Sequence, residues 1–173
     1  MKLSNFFIKR KIHAMMTERS DKRSRFRSFQ DVRNIGVVFH VKDREEVAPC
    51  LKMLEELHKT VYACAYIPAG KKDETDPAWL QVREEEDTDS KKIPTNEICE
   101  RFNALPCDIL IDLTRADNYV MHYLVLQYTG AFKVGSRSAA RNICDLTVVM
   151  SEGDGIRQLF EHILFYLRTI RSK

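Results

Sequence analysis

Small polar and basic side chains follow two apolar segments of this sequence. Arg115 comes shortly after one apolar run, and Ser136, Arg137 and Ser138 follow a glycine at the end of another. A guanidinium group and the backbone N–H groups of a tight turn both suit phosphate or carboxylate oxygens. These four residues therefore predict a binding site for a small anionic ligand.

The stretch 105–135 contains the elements that would position this site. Its apolar run at 109–113 is bounded by a proline and a threonine, which is typical of a strand covered on both faces of a parallel sheet. An amphipathic helix follows, and a short strand at 132–134 comes after it. Such a helix returns the chain to a neighbouring parallel strand.

Strand and helix patterns alternate along the whole chain, which predicts an α/β fold. We expect a single three-layer Rossmann-like domain with a mostly parallel sheet of about five strands. The order of the strands stays open between a Rossmann-like and a flavodoxin-like arrangement. The predicted strands are 34–41, 61–67, 109–113, 132–134 and 146–150, with a further short one at 79–82; the predicted helices include 44–59, 94–102 and 156–171.

Ligands of open α/β sheets bind at the carboxyl ends of the strands, so other polar residues at these ends are candidates too. They are His40, Lys42, Asp43, Thr114, Asp117, Asn118, Ser151 and Glu152. Asp43 is the candidate for a catalytic base, but an aspartate at the start of a helix more often caps it. Asp117 and Asn118 have the composition of a cap and turn.

The motifs of common cofactor sites are missing from the sequence. No Gly-x-Gly-x-x-Gly follows the first strand, and neither a P-loop nor a Gly-x-Ser-x-Gly sequence occurs. The five cysteines are dispersed without Cys-x-x-Cys spacing, and the five histidines show no ligand spacing. We therefore expect no cofactor, no metal site, and reduced thiols.

Charge separates an N-terminal arm, residues 1–33, from a domain at residues 34–173. The arm has ten Lys and Arg against three acidic residues, a net charge of +7, whereas the whole chain carries +3. The arm could contact an anionic membrane surface, a protein partner or, less readily, nucleic acid. It could also be a solvated tail, or a helix packed on its own domain. The candidate contact residues are Lys9, Arg10, Lys11, Arg23, Arg25 and Arg27.

The composition, 44% hydrophobic and 31% charged, is that of an ordinary globular protein. No apolar run approaches the roughly 20 residues that span a bilayer, and the first residues lack the pattern of a signal peptide. We expect the protein in the cytoplasm, either free or peripheral to the inner membrane.

The layout resembles an uncharacterised bacterial family of small Rossmann-like proteins. The similar segments are NIGVVF at 34–39, DILIDLT at 108–114, GAFKVG at 130–135 and DLTVVM at 145–150. This resemblance covers nearly all of residues 34–173. It implies the fold and carries no assigned activity.

A second resemblance, over about 100 residues, is to the N-terminal half of lipopolysaccharide heptosyltransferases. The shared features are a strand ending in Ile-Asp-Leu at 111–113, a Gly-Ala turn at 130–131 and a strand ending in Gly135. The resemblance implies that Asp43, six residues before Pro49, is the catalytic base, although Lys42 stands where that family has glycine. The family's donor-binding domain has no counterpart here, and a transferase must hold both substrates in one cleft.

Two hypotheses of function follow from the sequence. The first is a non-catalytic binding or adaptor module that contacts an anionic surface through residues 1–33. The alternative is a site for a phosphate- or sugar-bearing small molecule at the strand ends, or a glycosyltransferase-like enzyme half. Catalysis stays uncertain, and the sequence does not name the ligand or the partner.

Overall fold

A parallel β-sheet forms the centre of the protein in the computed structural model, which describes residues 3–18, 26, 28–72, 75–136 and 143–170. Its strands are β1 (Asn34–His40), β2 (Thr60–Ile67), β3 (Leu80–Arg83), β4 (Ile109–Asp112), β5 (Phe132–Ser136) and β6 (Leu146–Val148). Their order is β3-β2-β1-β4-β5-β6, and every neighbouring pair is parallel. This settles the open question in favour of the Rossmann order.

Helices cover both faces of the sheet. They are α1 (Leu3–Glu18), α2 (Arg44–Glu56), α3 (Glu84–Asp87), α4 (Asn96–Asn103), α5 (Tyr119–Gln127) and α6 (Ile156–Thr169), with a 3₁₀ turn at Val41–Asp43. One apolar layer joins the sheet to α2 and α6, and the other joins it to α1, α4 and α5. The predicted three-layer α/β fold is confirmed.

Successive side chains of the central strands point to opposite faces of the sheet, which explains why both layers are apolar. Val37 of β1 and Ile111 of β4 face the layer of α2 and α6, whereas Val38 and Leu110 face the layer of α5. A strand that is buried on both faces needs apolar residues at every position, which produces continuous apolar runs. The sheet has six strands in the described residues because the short segment Leu80–Arg83 pairs with β2.

The N-terminal extension is not confirmed as a separate arm. Ile8 and Ile12 of α1 are buried in the apolar layer that contains α5. Phe29 and Val32, which also precede β1, are buried in the opposite layer. The helix that packs on its own domain is therefore the alternative that the structure favours for residues 3–18. No helix in the described part of the chain is long and apolar enough to cross a membrane.

The acidic segment after β3 begins with a short helix. The first four residues of the run at 84–89 form α3. Thr88 then makes an isolated antiparallel bridge with Pro94. This arrangement holds Glu84 beside the carboxyl end of β2 instead of in a solvated loop.

Candidate functional site

The topological switch point of the sheet lies between β1 and β4. From β1 the strand order runs outward to β2 and β3, and from β4 it runs outward to β5 and β6. The loops that follow β1 and β4 therefore diverge and leave a crevice at the carboxyl edge of the sheet. In open α/β sheets this crevice is the usual place for a ligand.

A cleft of about 190 Å³ opens at this switch point. Its wall is built from the ends of β1, β2 and β4, from α3, and from the first turns of α5 and α1. This volume is below the range of pockets for drug-sized ligands, so the cleft suits a small molecule. The lining residues are Asn5, Ile8, His40, Lys42, Tyr66, Pro68, Glu84, Lys92, Arg115, Asp117, Asn118, Tyr119 and Val120.

Three cations and two carboxylates lie in the cleft wall. Lys92 Nζ is 2.5 Å from a carboxylate oxygen of Glu84, so these two charges largely compensate each other. Among the described residues, Arg115 has one long ion pair, 3.9 Å to Asp43 Oδ1, and 64% of its side chain is exposed. Lys42 is exposed as well. Lys42 and Arg115, opposed by Asp117, are the charges that remain for a ligand.

The first turn of α5 lines the same cleft through Asn118, Tyr119 and Val120. Asn118 caps the helix, and its side-chain oxygen accepts from the N–H group of Met121 at 3.2 Å. The N–H group of Tyr119 donates to Asp117, whereas that of Val120 has no hydrogen-bond partner among the described residues. A helix N-terminus with unpaired N–H groups attracts anions.

His40 is held in one orientation at the end of β1. Its Nδ1 atom accepts a hydrogen bond from the backbone N–H of Lys42 at 3.1 Å, and its ring packs edge-on against Tyr66. Burial, and then the charge of Lys42, lower the pKa of His40 below its usual value. The imidazole is therefore neutral at pH 7, and its proton is on Nε2.

Tyr66 and Glu84 form a fixed polar pair on the β2 side of the cleft. The Tyr66 hydroxyl donates to Glu84, whose other oxygen accepts from Lys92. Burial and this hydrogen bond raise the pKa of Tyr66. The phenol is therefore a neutral group, and it offers the cleft a rigid aromatic wall instead of a titrating side chain.

Asp43 lies beside the cleft but does not act as the predicted helix cap. It occupies the N-cap position of α2, yet its side chain makes no capping hydrogen bond. Only 7% of it is exposed, and Oδ2 has no hydrogen-bond partner in the described part of the protein. Its ion pair with Arg115 joins the ends of β1 and β4. A role as catalytic base stays a prediction.

Of the remaining predicted site residues, those in the described part of the chain do not line the cleft. Ser136 is buried at the end of β5 and is absent from the cleft wall. Arg137 and Ser138 lie outside the described residues, as do Arg23, Arg25 and Arg27. Lys9, Arg10 and Lys11 are exposed on α1, where Lys9 Nζ lies 4.7 Å from the centroid of the Tyr119 ring.

The structure adds residues to the site that the sequence did not single out. Tyr66 stands at the end of β2, so the rule that ligands bind at strand ends could have found it. Glu84 and Lys92 lie in the cleft wall because of α3 and the bridge that follows it. No local sequence pattern predicts where these two elements lie relative to the sheet. Asn5 and Ile8 belong to α1, whose docking on α5 is a tertiary contact.

Asp112 and His122 form a buried polar pair behind the cleft. Asp112 Oδ1 accepts from the backbone N–H of Thr114 at 2.9 Å and from its hydroxyl at 2.6 Å. Burial raises the pKa of Asp112 and lowers the pKa of His122, and the two groups influence each other electrostatically. Burial thus favours the neutral form of both side chains. The sequence feature that could have revealed this pair is the carboxylate of Asp112 inside an apolar strand.

The described residues contain no group of three or more His, Cys, Asp or Glu side chains placed to hold a metal ion. The groups that line the cleft have a chemistry of their own. They offer cations, helix N–H groups, a neutral imidazole and aromatic surface. This combination suits recognition of an anion with a small polar body.

Comparison with known protein families gives one match. The model of a family of unknown function, DUF6913, matches residues 5–170. A search of curated proteins found no match to the chain, and neither did a search of solved structures. The resemblance to heptosyltransferases has no support from these comparisons.

Proposed function

Since the chain belongs to the DUF6913 family, whose function is unknown, its activity has to be inferred from its site, and we propose that it binds a small anionic ligand. The main observation in support of this proposal is the cleft at the switch point, where Lys42, Arg115 and the N-terminus of α5 meet. A phosphate ester or a small carboxylate has the charge and the size for this place.

The electrostatics of the wall support an anion more than a cation. Glu84 already accepts from Tyr66 and pairs with Lys92, so it has little capacity for a positive ligand. Arg115 is held only loosely by Asp43 and can present its planar donors to a phosphate or carboxylate. Asp117 is the one wall carboxylate, among the described residues, that opposes this reading.

The test is a titration of the full chain with inorganic phosphate at constant ionic strength, followed by amide NMR spectra. We expect saturable shifts at residues 40–42 and 115–120, with a dissociation constant in the range of about 1 mM, which corresponds to roughly 4 kcal/mol. Arg115→Ala should weaken the binding by about tenfold or more, because an ionic hydrogen bond contributes about 1.5–3 kcal/mol.

Arg157→Ala is the matched control for this experiment. The Arg157 side chain is also 64% exposed and also makes one ion pair, with Glu161, but it lies on α6. Phosphate binding should be unchanged in this variant. Equal weakening in both variants would mean non-specific attraction by surface charge. The absence of saturable shifts in the unsubstituted chain would contradict the proposal.

A contact surface on α1 is the second candidate, favoured by the exposed outer face of that helix. Phe6 and Phe7 are both more than one-third exposed, and Arg10 and Lys11 are exposed beside them. The inner apolar face is used by Ile8 and Ile12 within the protein, so a membrane would meet the phenylalanines. Each cation near an anionic bilayer contributes about 1 kcal/mol.

This second candidate is tested by sedimentation of the chain with vesicles of phosphatidylglycerol and phosphatidylcholine. Reversal of two charges, Arg10→Glu with Lys11→Glu, should abolish binding to these vesicles if α1 is the contact surface. The control reverses another adjacent exposed pair, Lys71→Glu with Lys72→Glu. Deletion of the whole arm is a poor test, because Asn5 and Ile8 line the cleft.

A glycosyltransferase-like role would place Asp43 as the base. Its unpaired Oδ2 atom is compatible with proton abstraction, but the carboxylate is almost fully buried beside Arg115. Asp43→Asn separates the two roles. If Asp43 only orients Arg115, phosphate affinity should change together with the ion pair. If it is a base, phosphate affinity should persist while turnover of a sugar donor is lost.

A further inference from the structure

Three buried polar side chains without complete hydrogen bonding lie together at the end of β4 and the first turn of α5. Asp112, Asn118 and His122 are exposed by 0%, 8% and 3% respectively. Asp112 Oδ2, Asn118 Nδ2 and His122 Nε2 have no partner among the described residues. A buried polar group without a partner is rare in native proteins and calls for an explanation.

The positions of these residues place Asp112 and Asn118 each near His122. Asn118 and His122 are one helical turn apart, on the same face of α5, and the backbone N–H of His122 donates to the carbonyl of Asn118. Asp112 faces the layer that contains α5, because it alternates with Ile111, which faces the other layer. Asp112 and His122 are close enough for each to shift the pKa of the other.

This cluster adjoins the cleft. Asn118 is part of the cleft wall, whereas Asp112 and His122 are buried and are not among the residues that line it. Asn118 Nδ2 is a hydrogen-bond donor, Asp112 Oδ2 can accept or, when protonated, donate, and His122 Nε2 can do either. One hydroxyl group, which both donates and accepts, could satisfy two or three of these atoms at once.

We propose that Asp112, Asn118 and His122 form a subsite for one hydroxyl-bearing group, supplied either by the ligand of the cleft or by a water molecule. If the ligand supplies the hydroxyl group, this proposal rests on the proposed function and makes it more specific, because the ligand would be a hydroxylated anion such as a polyol phosphate. The second source does not depend on an anion. A buried water makes about three hydrogen bonds, which matches the three free atoms.

The test compares two phosphate esters of similar size on the full chain by calorimetry. Glycerol 3-phosphate carries hydroxyl groups, and propyl phosphate lacks them. If the ligand fills the subsite, glycerol 3-phosphate should bind about three- to tenfold more tightly, the range of one or two ordinary hydrogen bonds. Asn118→Asp keeps the helix cap but replaces the donor, and it should remove this preference. Asn103→Asp, at an exposed position of α4, is the matched control.

The water arm uses magnetisation transfer from water to the His122 ring by NMR, without any ligand. Equal affinity for the two esters together with a bound-water signal at His122, lost in Asp112→Asn, would assign the subsite to water. Equal affinity without such a signal would overturn the subsite. Failure of inorganic phosphate and of both esters to bind would overturn the proposed anion site alone, since the water signal still decides the subsite.

Discussion

At the scale of single residues, the most informative group of the cleft is His40. Its Nδ1 atom accepts from the backbone N–H of Lys42, which places the proton of the neutral ring on Nε2. The ring lines the cleft. Partial burial is the larger cause of its low pKa, and the charge of Lys42 is the next. The imidazole is thus a reporter of charge in the cleft.

The first prediction concerns this reporter. His40 should titrate below 6.5 in the free chain, and Lys42→Met should move its pKa upward, because the larger of the two charges that lower it is removed. Burial remains, so the value should stay below 6.5. The measurement is a pH titration of the imidazole resonances. Lys52→Met, an exposed change on α2, should leave the titration as it is.

Asp112 carries the second prediction, which links its pKa to stability. A carboxyl whose folded pKa is raised stabilises the fold below its unfolded value of about 3.9, and this contribution is lost as the pH rises through the folded pKa. Asp112→Asn removes the buried charge and keeps an oxygen for Thr114. The variant should therefore be more stable near neutral pH, by on the order of 1 kcal/mol.

Urea unfolding at about pH 7.5 and about pH 5 measures this difference. The advantage of Asp112→Asn over the unsubstituted chain should shrink at the lower pH, because the pKa of the native carboxyl is raised by burial and a larger fraction of it is protonated there. Loss of stability in the variant at neutral pH would mean that the carboxylate is held by a protonated His122. If Asp112 lowers the stability of the fold, its presence is better explained by a role in binding than by a role in folding.

Sequence reasoning located part of the site at this scale and missed the rest for a physical reason. Lys42 and Arg115 follow strands, and the rule for parallel sheets brings such residues to one edge. Asp43 was assigned a capping role, but its side chain reaches Arg115 instead, because the 3₁₀ turn before α2 redirects it. Glu84 depends on the position of a four-residue helix, which no periodicity predicts.

At the scale of elements, α1 is the clearest case of a role set by tertiary contacts. Its sequence is only weakly amphipathic and strongly basic, which fits a tail, a membrane contact or a docked helix equally well. The position of α1 is determined by α5, which has buried apolar residues along most of its length. The outer side of α5 is therefore apolar as well, and α1 packs against it. The strands, by contrast, are recognisable from their own apolar runs.

The third prediction measures the docking of α1. Ile8 is fully buried, so Ile8→Ala should lower the free energy of unfolding by about 2–5 kcal/mol, the usual cost of this change in a core. Phe6→Ala removes a larger side chain that is 48% exposed, and its effect should stay below about 1 kcal/mol. Chemical denaturation of both variants gives the comparison, and equal effects would mean that α1 is not docked in solution.

At the scale of the whole molecule, the described segments before β1 belong to the packed structure on both faces of the sheet. Ile8 and Ile12 complete one layer, while Phe29 and Val32 complete the other. Lys59 Nζ donates to the carbonyl groups of Phe29 and Val32 and so fixes this segment to the start of β2. The charge boundary near residue 33 is real in the sequence, but charge does not mark where a core ends.

The fourth prediction follows for a chain that consists of residues 34–173. It lacks four buried apolar side chains, each worth about 1.5–3 kcal/mol of transfer free energy, and this sum is comparable to the stability of a typical domain. We expect no cooperative urea transition, or one at a much lower midpoint, and no saturable phosphate binding, because α1 supplies part of the cleft wall. A peptide of residues 1–33 added in trans should restore both properties at least in part.

A truncated chain that unfolds at the same midpoint as the full chain would establish the arm as an independent extension. Retention of phosphate binding in that chain would then show that β1, β4 and α5 form the anion site without α1.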